Sequence, residues 1–570
     1  IDTSEAEKLD GVAAIITAYN CPDVYYMQAG QGTPEPSPHD RRLFNRKVRH
    51  VGDRVAGIVA RTPEIADKAA SLIKVEYEPT EAVFTVEEAM APGAPLVHNG
   101  PVQYNAGAPD DLEAYNKLQG DPREGKVVYQ FPLHADIHKN IAASNKGGIG
   151  DMEKGFAEAD YVAEHTFYIP HVQHVPIEPH VAVAQYEADG KLTVWASCQS
   201  PFAVRQALAT SFDIPLNKVR VISPYVGGGF GSKAGTTLEG IVIPLSMLNC
   251  GRPVKMTYTR EEEFEDAYVR QGVYATLKTG VRKSDGKILA QKIEYVWDGG
   301  AYTEYGVNIV KAAGIACPGP YDIDNIWCDS YCVYTNHPVG GPYRGFGMCE
   351  IHFAIEQNLD MIAHEIGMSE VDIRRVNGLR AGGATATGQI LEDCGYQDCL
   401  ETVVKELEYD KPCEQVAPNL IRAKGIAGGL PMGGFLASDR TRAVLGPGTH
   451  ATTFGGNPIC AAAAQVVLDT LDEDALAAVR AKGEYLRARI ESVRGHLSND
   501  DAAEAALALV HAGARQLVLG HLSKENNFPE LALQCTMSAL ERDGAAGVQV
   551  CVARRDGNSG VFTVSAEMLE

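Results

Sequence analysis

The chain has 570 residues, 45% of them hydrophobic, which is enough for several domains that each bury their own core. Its 51 basic and 74 acidic side chains give a formal net charge of −23, and this excess of acid argues against a nucleic-acid partner. No apolar run approaches the ~18 residues that cross a membrane.

Thirteen cysteines are scattered along the chain, and no two form a C-x-x-C pair. This pattern is typical of reduced thiols in a cytoplasmic protein rather than of a disulfide framework. It also lacks the closely spaced thiolates that hold an iron–sulfur cluster, so any redox centre here would pass its electrons to a partner. The sequence begins at Ile1 without a signal-like segment, and we expect the natural N-terminus to lie further upstream.

The first predicted unit is a strand, a helix and a second strand. Residues 55–60 form an apolar run typical of a buried strand. Thr62 and Pro63 then predict a helix start, with a capping residue followed by proline at the first helical position. Val75 and Tyr77 predict the strand that follows this helix.

Two glycine-rich motifs occupy the middle of the chain. Gly227-Gly228-Gly229-Phe230-Gly231 follows a strand-like run, and so does Arg344-Gly345-Phe346-Gly347. Glycines expose backbone N–H groups, so an anionic cofactor can lie against the main chain. Neither motif has the spacing of a phosphate-binding loop or of a dinucleotide-binding fold.

A long helix is predicted directly after the second motif. Isoleucine and leucine recur at helical spacing until Gly367, which predicts the end of the helix. Ser369, followed by Asp372, predicts the start of the next helix.

In this order, the two motifs resemble the large subunit of the molybdenum hydroxylases, the family of xanthine dehydrogenase, aldehyde oxidase and carbon monoxide dehydrogenase. The resemblance covers residues 1–410. Further family landmarks are 48–56, 73–79, His174–Pro179, Gln199–Pro201 and Tyr334–Pro338. It implies an α+β and α/β multidomain fold, with an a/b hammerhead domain over 1–130 and the first half of a molybdopterin-binding domain over 131–412.

The resemblance implies a site built from both motifs. Its catalytic residues would be Gln199, Phe230, Arg344 and Phe346. Gln199 would donate a hydrogen bond to a molybdenum oxo group, and the phenylalanines would flank the substrate or the metal. Molybdopterin, including its cytosine dinucleotide form, would lie against the backbone N–H groups of 229–231 and 345–347. The cofactor-binding residues would be Gly228, Gly229, Phe230, Gly231, Arg344, Gly345, Phe346 and Gly347.

Several of these residues have ordinary alternatives. Gln199 could close a turn before Pro201, and the two phenylalanines could be packing aromatics. Glu178, in the His174–Pro179 landmark, could be a structural acid in a turn.

The implied reaction inserts a water-derived oxygen at an electron-poor carbon of a small molecule. Electrons would leave through iron–sulfur and FAD subunits, so we expect a cytoplasmic hetero-oligomer. Purine-oxidising members have a glutamate where this chain has Ala234, and a methyl group cannot accept a hydrogen bond from a purine. Another N-heterocycle or an aldehyde is therefore favoured. The second cofactor domain, with its G-x-G-E glutamate, is not found in the sequence.

The character of the sequence changes near residue 412, which gives the last third a composite appearance. Residues 413–494 resemble a class III aminotransferase of the acetylornithine type, in which Lys424 would form the Schiff base with pyridoxal phosphate and Thr453 would contact its phosphate. Residues 495–570 resemble the C-terminal end of a metallo-β-lactamase-fold hydrolase, in which His521 would be a metal ligand.

Both C-terminal segments lack groups that their chemistry needs. Lys424 has no acidic partner for the pyridinium nitrogen, and His521 has no H-x-H-x-D-H cluster. We therefore expect neither pyridoxal phosphate nor zinc in these segments. Two other functions stay open, a pyridoxal-phosphate aminotransferase and a non-catalytic assembly subunit.

Overall fold

A computed structural model describes most of the first three quarters of the chain. The described residues are 1–26, 29, 40–98, 135–386, 388–412, 414–417, 420–422, 510, 516–519, 536–537, 540, 543 and 549–552. The chain forms two compact units, Ile1–Cys460 and Ala461–Glu570. Lys424, Thr453 and His521 lie outside the described residues. In the described part, no helix has both the length and the apolar character needed to cross a bilayer.

The helices of the first unit are α1 (Ser4–Glu7), α2 (Pro63–Leu72), α3 (Val86–Met90), α4 (Met152–Glu158), α5 (Pro201–Ser211), α6 (Glu239–Leu248), α7 (Arg260–Glu265), α8 (Gly306–Ala316), α9 (Met348–Ile366), α10 (Glu370–Asn377) and α11 (Tyr396–Glu406). Its strands are β1 (Val12–Thr17), β2 (Ala56–Ala60), β3 (Ile141–Ile149), β4 (Tyr161–Ile169), β5 (Val172–Gln173), β6 (Val181–Tyr186), β7 (Leu192–Ala196), β8 (Val219–Ile222), β9 (Val254–Thr257), β10 (Val269–Arg270), β11 (Gly272–Arg282), β12 (Lys287–Gly300), β13 (Ile326–Tyr334), β14 (Gly340–Gly341), β15 (Glu414–Ala417) and β16 (Leu420–Arg422). The second unit contains the parallel pair β17 (Gln516–Leu519) and β18 (Gln549–Val552).

The N-terminal strands β1 and β2 form an antiparallel pair that α2 covers. The predicted start of α2 is confirmed, because the hydroxyl of Thr62 accepts a hydrogen bond from the N–H of Ile65 at 3.4 Å. The predicted strand at Val75 and Tyr77 is wrong. Among the described residues, pairing stops at a single bridge between Asp2 and Lys74, and the residues that follow have no strand beside them there.

A five-stranded sheet of order β3-β13-β12-β11-β4 forms the larger core. Only β12 and β13 run parallel in it, and the other neighbours are antiparallel. Alternate side chains of β12, among them Ile293, Tyr295 and Trp297, are fully buried. Helices α8 and α9 pack against this sheet.

A second core lies around a four-stranded sheet of order β8-β7-β6-β9. Helix α6 packs against this sheet and also against the β1–β2 pair. Ile16 and Val59 from that pair join Val194 and Val242 in one buried cluster. The N-terminal strands therefore share a core with the sheet that precedes the first glycine-rich motif.

The helix predicted after the second motif is confirmed as α9. It ends at Gly367, which adopts the left-handed conformation with φ of 74°. The next helix, α10, begins as predicted, with the Ser369 hydroxyl accepting from the N–H of Asp372 at 3.0 Å.

A buried ion cluster ties the N-terminal segment to the rest of the first unit. Arg41 Nη2 lies 2.7 Å from Asp266 Oδ1, and Arg54 Nε lies 3.0 Å from Asp266 Oδ2. The hydroxyl of Tyr258 also donates to Asp266. Burial opposes ionisation of Asp266, but the two guanidinium groups outweigh it and hold the pKa of this carboxyl well below its usual range.

We predict that Asp266→Asn lowers the free energy of unfolding by about 3–5 kcal/mol, because it removes the carboxylate that pairs directly with two buried guanidinium groups. The matched variant Asp10→Asn, at a 96% exposed side chain 3.8 Å from Arg61, should cost less than about 1 kcal/mol. Urea unfolding followed by tryptophan fluorescence measures both, since Trp195, Trp297 and Trp327 all lie in the first unit.

The pH dependence of this effect has a definite sign. Because folding lowers the pKa of Asp266, its stabilisation is present above the unfolded pKa of ~3.9 and is lost as the pH falls. The difference between the wild-type chain and Asp266→Asn should therefore shrink in acid. Equal stability of the two proteins at neutral pH would contradict the assigned role.

Candidate functional site

The two glycine-rich motifs form loops that touch through their backbones. The N–H of Arg344 donates to the carbonyl oxygen of Phe230 at 2.9 Å. A Cβ atom on Gly231 would overlap the carbonyl oxygen of Pro342, so only glycine permits this approach. Residues far apart in the sequence are therefore brought together at one place, as the motifs predicted.

Both loops bend in the same way at their phenylalanine. Phe230 has φ of 56° and the following Gly231 has φ of 110°. Phe346 has φ of 52° and the following Gly347 has φ of 88°. A left-handed phenylalanine is uncommon and costs on the order of 1–3 kcal/mol, which the surrounding contacts must offset.

The two phenylalanines differ in their surroundings. The side chain of Phe230 is 45% exposed. Phe346 is half-buried against the larger core and meets Tyr305 edge-on, with ring centroids 6.4 Å apart. Phe346 is therefore in part a packing aromatic, which was one of the two roles considered for it. The side chain of Phe230 faces solvent instead.

Lys233 holds the start of the first loop in place through Glu178 and Ser197. Its ammonium is fully buried and donates to Glu178 Oε2 at 2.8 Å and to the Ser197 hydroxyl at 2.8 Å. Glu178 Oε2 also accepts from the N–H of Gly227 at 2.7 Å. One ion pair with a buried ammonium thus fixes the residue at which the loop begins.

The same contacts show whether Glu178 is a structural acid. Burial opposes its ionisation, but hydrogen bonds from Lys233, Ser197 and Gly227 outweigh burial and lower its pKa. Glu178 is thus an ionised structural acid. Sequence reasoning missed the role of Lys233, although its place between a glycine loop and the apolar run of α6 was a usable signal, since lysine is rarely buried without a partner.

Gln199 lies at the edge of the first loop. Its Oε1 accepts a hydrogen bond from the N–H of Gly231 at 2.9 Å. Because a backbone N–H can only donate, this contact fixes which end of the amide faces the loop. The other end of the amide, the donor Nε2, thus faces away from this contact, and the side chain of Gln199 is exposed. The predicted donor role requires this orientation.

The second loop is held by Arg270 and His174. Arg270 Nη2 donates to the carbonyl oxygen of Arg344 at 3.0 Å, and Nη1 pairs with Glu350 at 2.7 Å. His174 Nε2 donates to the carbonyl oxygen of Pro342 at 2.8 Å. Burial lowers the pKa of His174 to about 4, so its imidazole is neutral near pH 7.

The loops offer backbone donors to an anion. The N–H groups of Gly231 and Phe346 already donate in this structure, to Gln199 and to the carbonyl oxygen of Tyr343. The contact of residues 229–231 and 345–347 with a cofactor stays a prediction. Within the described part of the chain, the N–H groups of Gly228 and Gly229 have no acceptor. Helix α9 starts directly after the second loop and directs the positive end of its dipole towards it.

Three protein families match the chain. The family described as "Aldehyde oxidase and xanthine dehydrogenase, a/b hammerhead domain" matches residues 1–81, and "Molybdopterin cofactor-binding domain" matches residues 133–378. These matches confirm the predicted fold class. "Aminotransferase class-III" matches residues 412–498, as the resemblance indicated. The metallo-β-lactamase resemblance further on is not shown.

Curated relatives point in the same direction. The "Probable hypoxanthine oxidase XdhD" of Escherichia coli strain K12 is 40% identical over 433 residues, which cover 73% of this chain and 44% of that protein. The "Nicotinate dehydrogenase large molybdopterin subunit" of Eubacterium barkeri is 31% identical over 422 residues, covering 72% of this chain and 87% of that subunit. The chain thus spans less than half of the first relative and most of the second.

Solved structures share the architecture. The aldehyde oxidoreductase from Desulfovibrio gigas matches with a TM-score of 0.60 and 26% identity, covering 72% of this chain and 41% of that one. The CO dehydrogenase from Oligotropha carboxidovorans matches with the same TM-score and identity, covering 72% and 48%.

We predict that Lys233→Met loosens the first loop and lowers the free energy of unfolding by about 2–3 kcal/mol, since Glu178 is partly exposed and loses only part of its compensation. Hydrogen exchange at 227–231 should accelerate. The control Lys255→Met, at an exposed position of β9, should stay within about 0.5 kcal/mol of the wild-type chain. If Lys233→Met leaves hydrogen exchange at 227–231 unchanged, then Lys233 does not hold this loop in place.

Proposed function

The chain belongs to the aldehyde oxidase and xanthine dehydrogenase family, and we propose that it forms the cofactor-binding part of the catalytic subunit of a molybdenum hydroxylase. The backbone contact between Gly227–Gly231 and Arg344–Gly347 carries this proposal, because it joins the two family motifs into one cradle. We further propose the domain limits 1–130, 131–412, 413–494 and 495–570.

The cradle fits an anionic pterin cofactor. The free N–H groups of Gly228 and Gly229 provide donors, and the start of α9 adds a favourable potential. Gly345 and Gly347, both with positive φ, would let the cofactor approach the second loop closely. Gly231 and Phe346 would contribute by shaping the loops, since their N–H groups are already engaged.

When bound, molybdopterin would supply a metal that accepts electrons from the substrate carbon and activates a water-derived oxygen. Nε2 of Gln199 would donate a hydrogen bond to an oxygen of this group. Phe230, exposed at the tip of the first loop, would flank the substrate, with Phe346 beneath it. Arg344 would place a positive charge between the two loops.

The proton acceptor for such a reaction is not one of the carboxylates that hold the loops. Glu178 is bound by Lys233, Ser197 and Gly227. Glu350 is paired with Arg270. We propose that the G-x-G-E glutamate of the family fulfils this role from a second cofactor domain, for which the greater length of the relatives leaves room.

An N-heterocycle or an aldehyde is the proposed substrate class. Ala234 packs its methyl group against the larger core and offers no acceptor to a purine. The name of the nicotinate dehydrogenase among the relatives supports a heterocycle other than a purine, whereas the probable hypoxanthine oxidase is named for a purine.

We propose that iron–sulfur and FAD subunits take up the electrons, that the complex is a cytoplasmic hetero-oligomer, and that the cofactor is the cytosine dinucleotide form. Relatives named as a large subunit or a large chain favour a multisubunit enzyme. Free thiols support a reducing compartment, since the nine cysteines in the described part form no disulfide.

A pyridoxal-phosphate aminotransferase is the second candidate, because residues 412–498 match that family. The match covers a short segment, and Lys424 and Thr453 lack an acidic partner for the pyridinium ring in the sequence. We therefore propose that this segment, and His521 beyond it, do not support catalysis.

We predict that Gly231→Ala lowers the molybdenum and pterin content of the purified protein at least about tenfold. The new Cβ would overlap the carbonyl oxygen of Pro342, and φ of 110° disfavours any side chain, so the two loops would separate. Elemental analysis and pterin fluorescence measure the content. The control Gly147→Ala adds a methyl group into open space and should retain the cofactor. A wild-type chain that carries an internal aldimine instead of a pterin would favour the aminotransferase.

We predict that Gln199→Ala lowers kcat on the order of 100-fold while the cofactor content and the fold are preserved, because one donor to the reacting group is lost. Turnover is measured with the partner subunits present, on a panel of N-heterocycles and aldehydes. Gln206→Ala on α5 serves as the control and should keep the wild-type rate. If Gln199→Ala turns over substrate at the wild-type rate, Gln199 is not a donor to the reacting group and only closes the turn before Pro201.

A further inference from the structure

Three side chains that commonly bind metals meet outside the two loops. His171 lies between β4 and β5, Asp298 lies near the end of β12, and His337 follows β13. One ligand atom from each lies within 4.8 Å of the other two. The two imidazole side chains are 23% and 34% exposed and the carboxylate is 7% exposed, so the group can be reached from solvent.

The carboxylate of Asp298 is oriented by its neighbours. Oδ1 accepts from the Thr335 hydroxyl at 2.5 Å and from the N–H of Gly300 at 3.2 Å. Oδ2 therefore faces the imidazoles, 2.7 Å from His337 Nδ1 and 3.7 Å from His171 Nε2. Fixing one carboxylate oxygen in this way is how proteins orient metal ligands.

His171 supplies the decisive observation. Its Nε2 is buried and has no hydrogen-bond partner in the part of the chain that the structure describes. The 3.7 Å to Asp298 is too long for a hydrogen bond. Two ligands on one tetrahedral ion, each ~2.0–2.1 Å from it, stand about 3.3 Å apart, which is close to this separation.

Gly272 makes room for this imidazole. It pairs with Asp298 in the sheet, and a Cβ at position 272 would lie 3.0 Å from both His171 Nδ1 and Cε1. The glycine therefore lets the ring of His171 come close to the strand that carries the carboxylate.

We propose that His171, Asp298 and His337 bind a divalent transition-metal ion, for which Zn²⁺ is the best match. Two imidazole nitrogens and one carboxylate oxygen are ligands that zinc takes, and a water molecule would complete a tetrahedral set. The ion would replace the hydrogen that His337 Nδ1 now donates to Asp298. A simple hydrogen bond between these two residues is the alternative, but it leaves Nε2 of His171 unsatisfied.

The ion would hold together two chain segments that lead to the second glycine-rich loop and its supporting residues. His171 lies three residues before His174, and His337 lies seven residues before Arg344. A shared ion would link the segments that hold and form the second loop. This site is independent of molybdopterin, so its failure would leave the proposed function untouched.

The test measures zinc binding to the full chain after treatment with a chelator, by titration calorimetry and elemental analysis. Co²⁺ serves as a spectroscopic probe, since ligand-field bands without thiolate charge-transfer bands distinguish this site from the cysteines. His171→Gln and His337→Gln each remove one ligand. The control, His364→Gln, changes an exposed histidine at the end of α9.

We expect the wild-type chain and His364→Gln to bind one ion with these Co²⁺ bands. Each ligand variant should bind it at least about 100-fold more weakly, and circular dichroism should show an unchanged fold. If His171→Gln fails to fold, His337→Gln decides, because the side chain of His337 is more exposed, at 34% against 23% for His171. Equal binding by the ligand variants, or no thiolate-free Co²⁺ site in the wild-type chain, would overturn the proposal.

Discussion

The ion pair between the buried ammonium of Lys233 and the partly exposed carboxylate of Glu178 is the interaction on which the rest of the site depends. An ammonium group without exposure to water is tolerated only when it is paired and fully hydrogen-bonded. The pair meets this requirement by joining Ser197, directly after β7, with Glu178 and the first residue of the glycine loop. The unusual backbone at Phe230, the approach of Gly231 to the second loop and the contact with Gln199 all lie within four residues of this fixed point.

A second ion cluster, around Asp266, positions whole layers of the fold. The N-terminal strands share a core with the four-stranded sheet, and Arg41 and Arg54 reach Asp266 from that side. Apolar packing brings the layers together without choosing a unique alignment, whereas a buried carboxylate between two guanidinium groups accepts only one geometry. The small N-terminal α/β layer is thereby positioned relative to the strands that carry the loops.

The sequence predicted the features that depend on local signals. Caps such as Thr62 and Ser369, the stop at Gly367 and the strands before both motifs were all found, because neighbouring residues decide them. The strand at Val75 failed, because a strand also needs a partner that sequence does not show. The hydrogen bonds of the N–H groups of Gly231 and Phe346 could not be predicted for a similar reason, since their acceptors on Gln199 and Tyr343 come near only in the folded chain.

The contact between the two loops also has a consequence for maturation. The first loop follows β8, an edge strand of the four-stranded sheet, and the second loop comes after β13 of the five-stranded sheet and the short strand β14, so the contact between the loops joins two different layers. Under the proposed function, neither layer alone would present both loops to a pterin. Insertion of the cofactor would then follow the docking of the layers, so that a molecule holding the cofactor would be one in which both layers are complete.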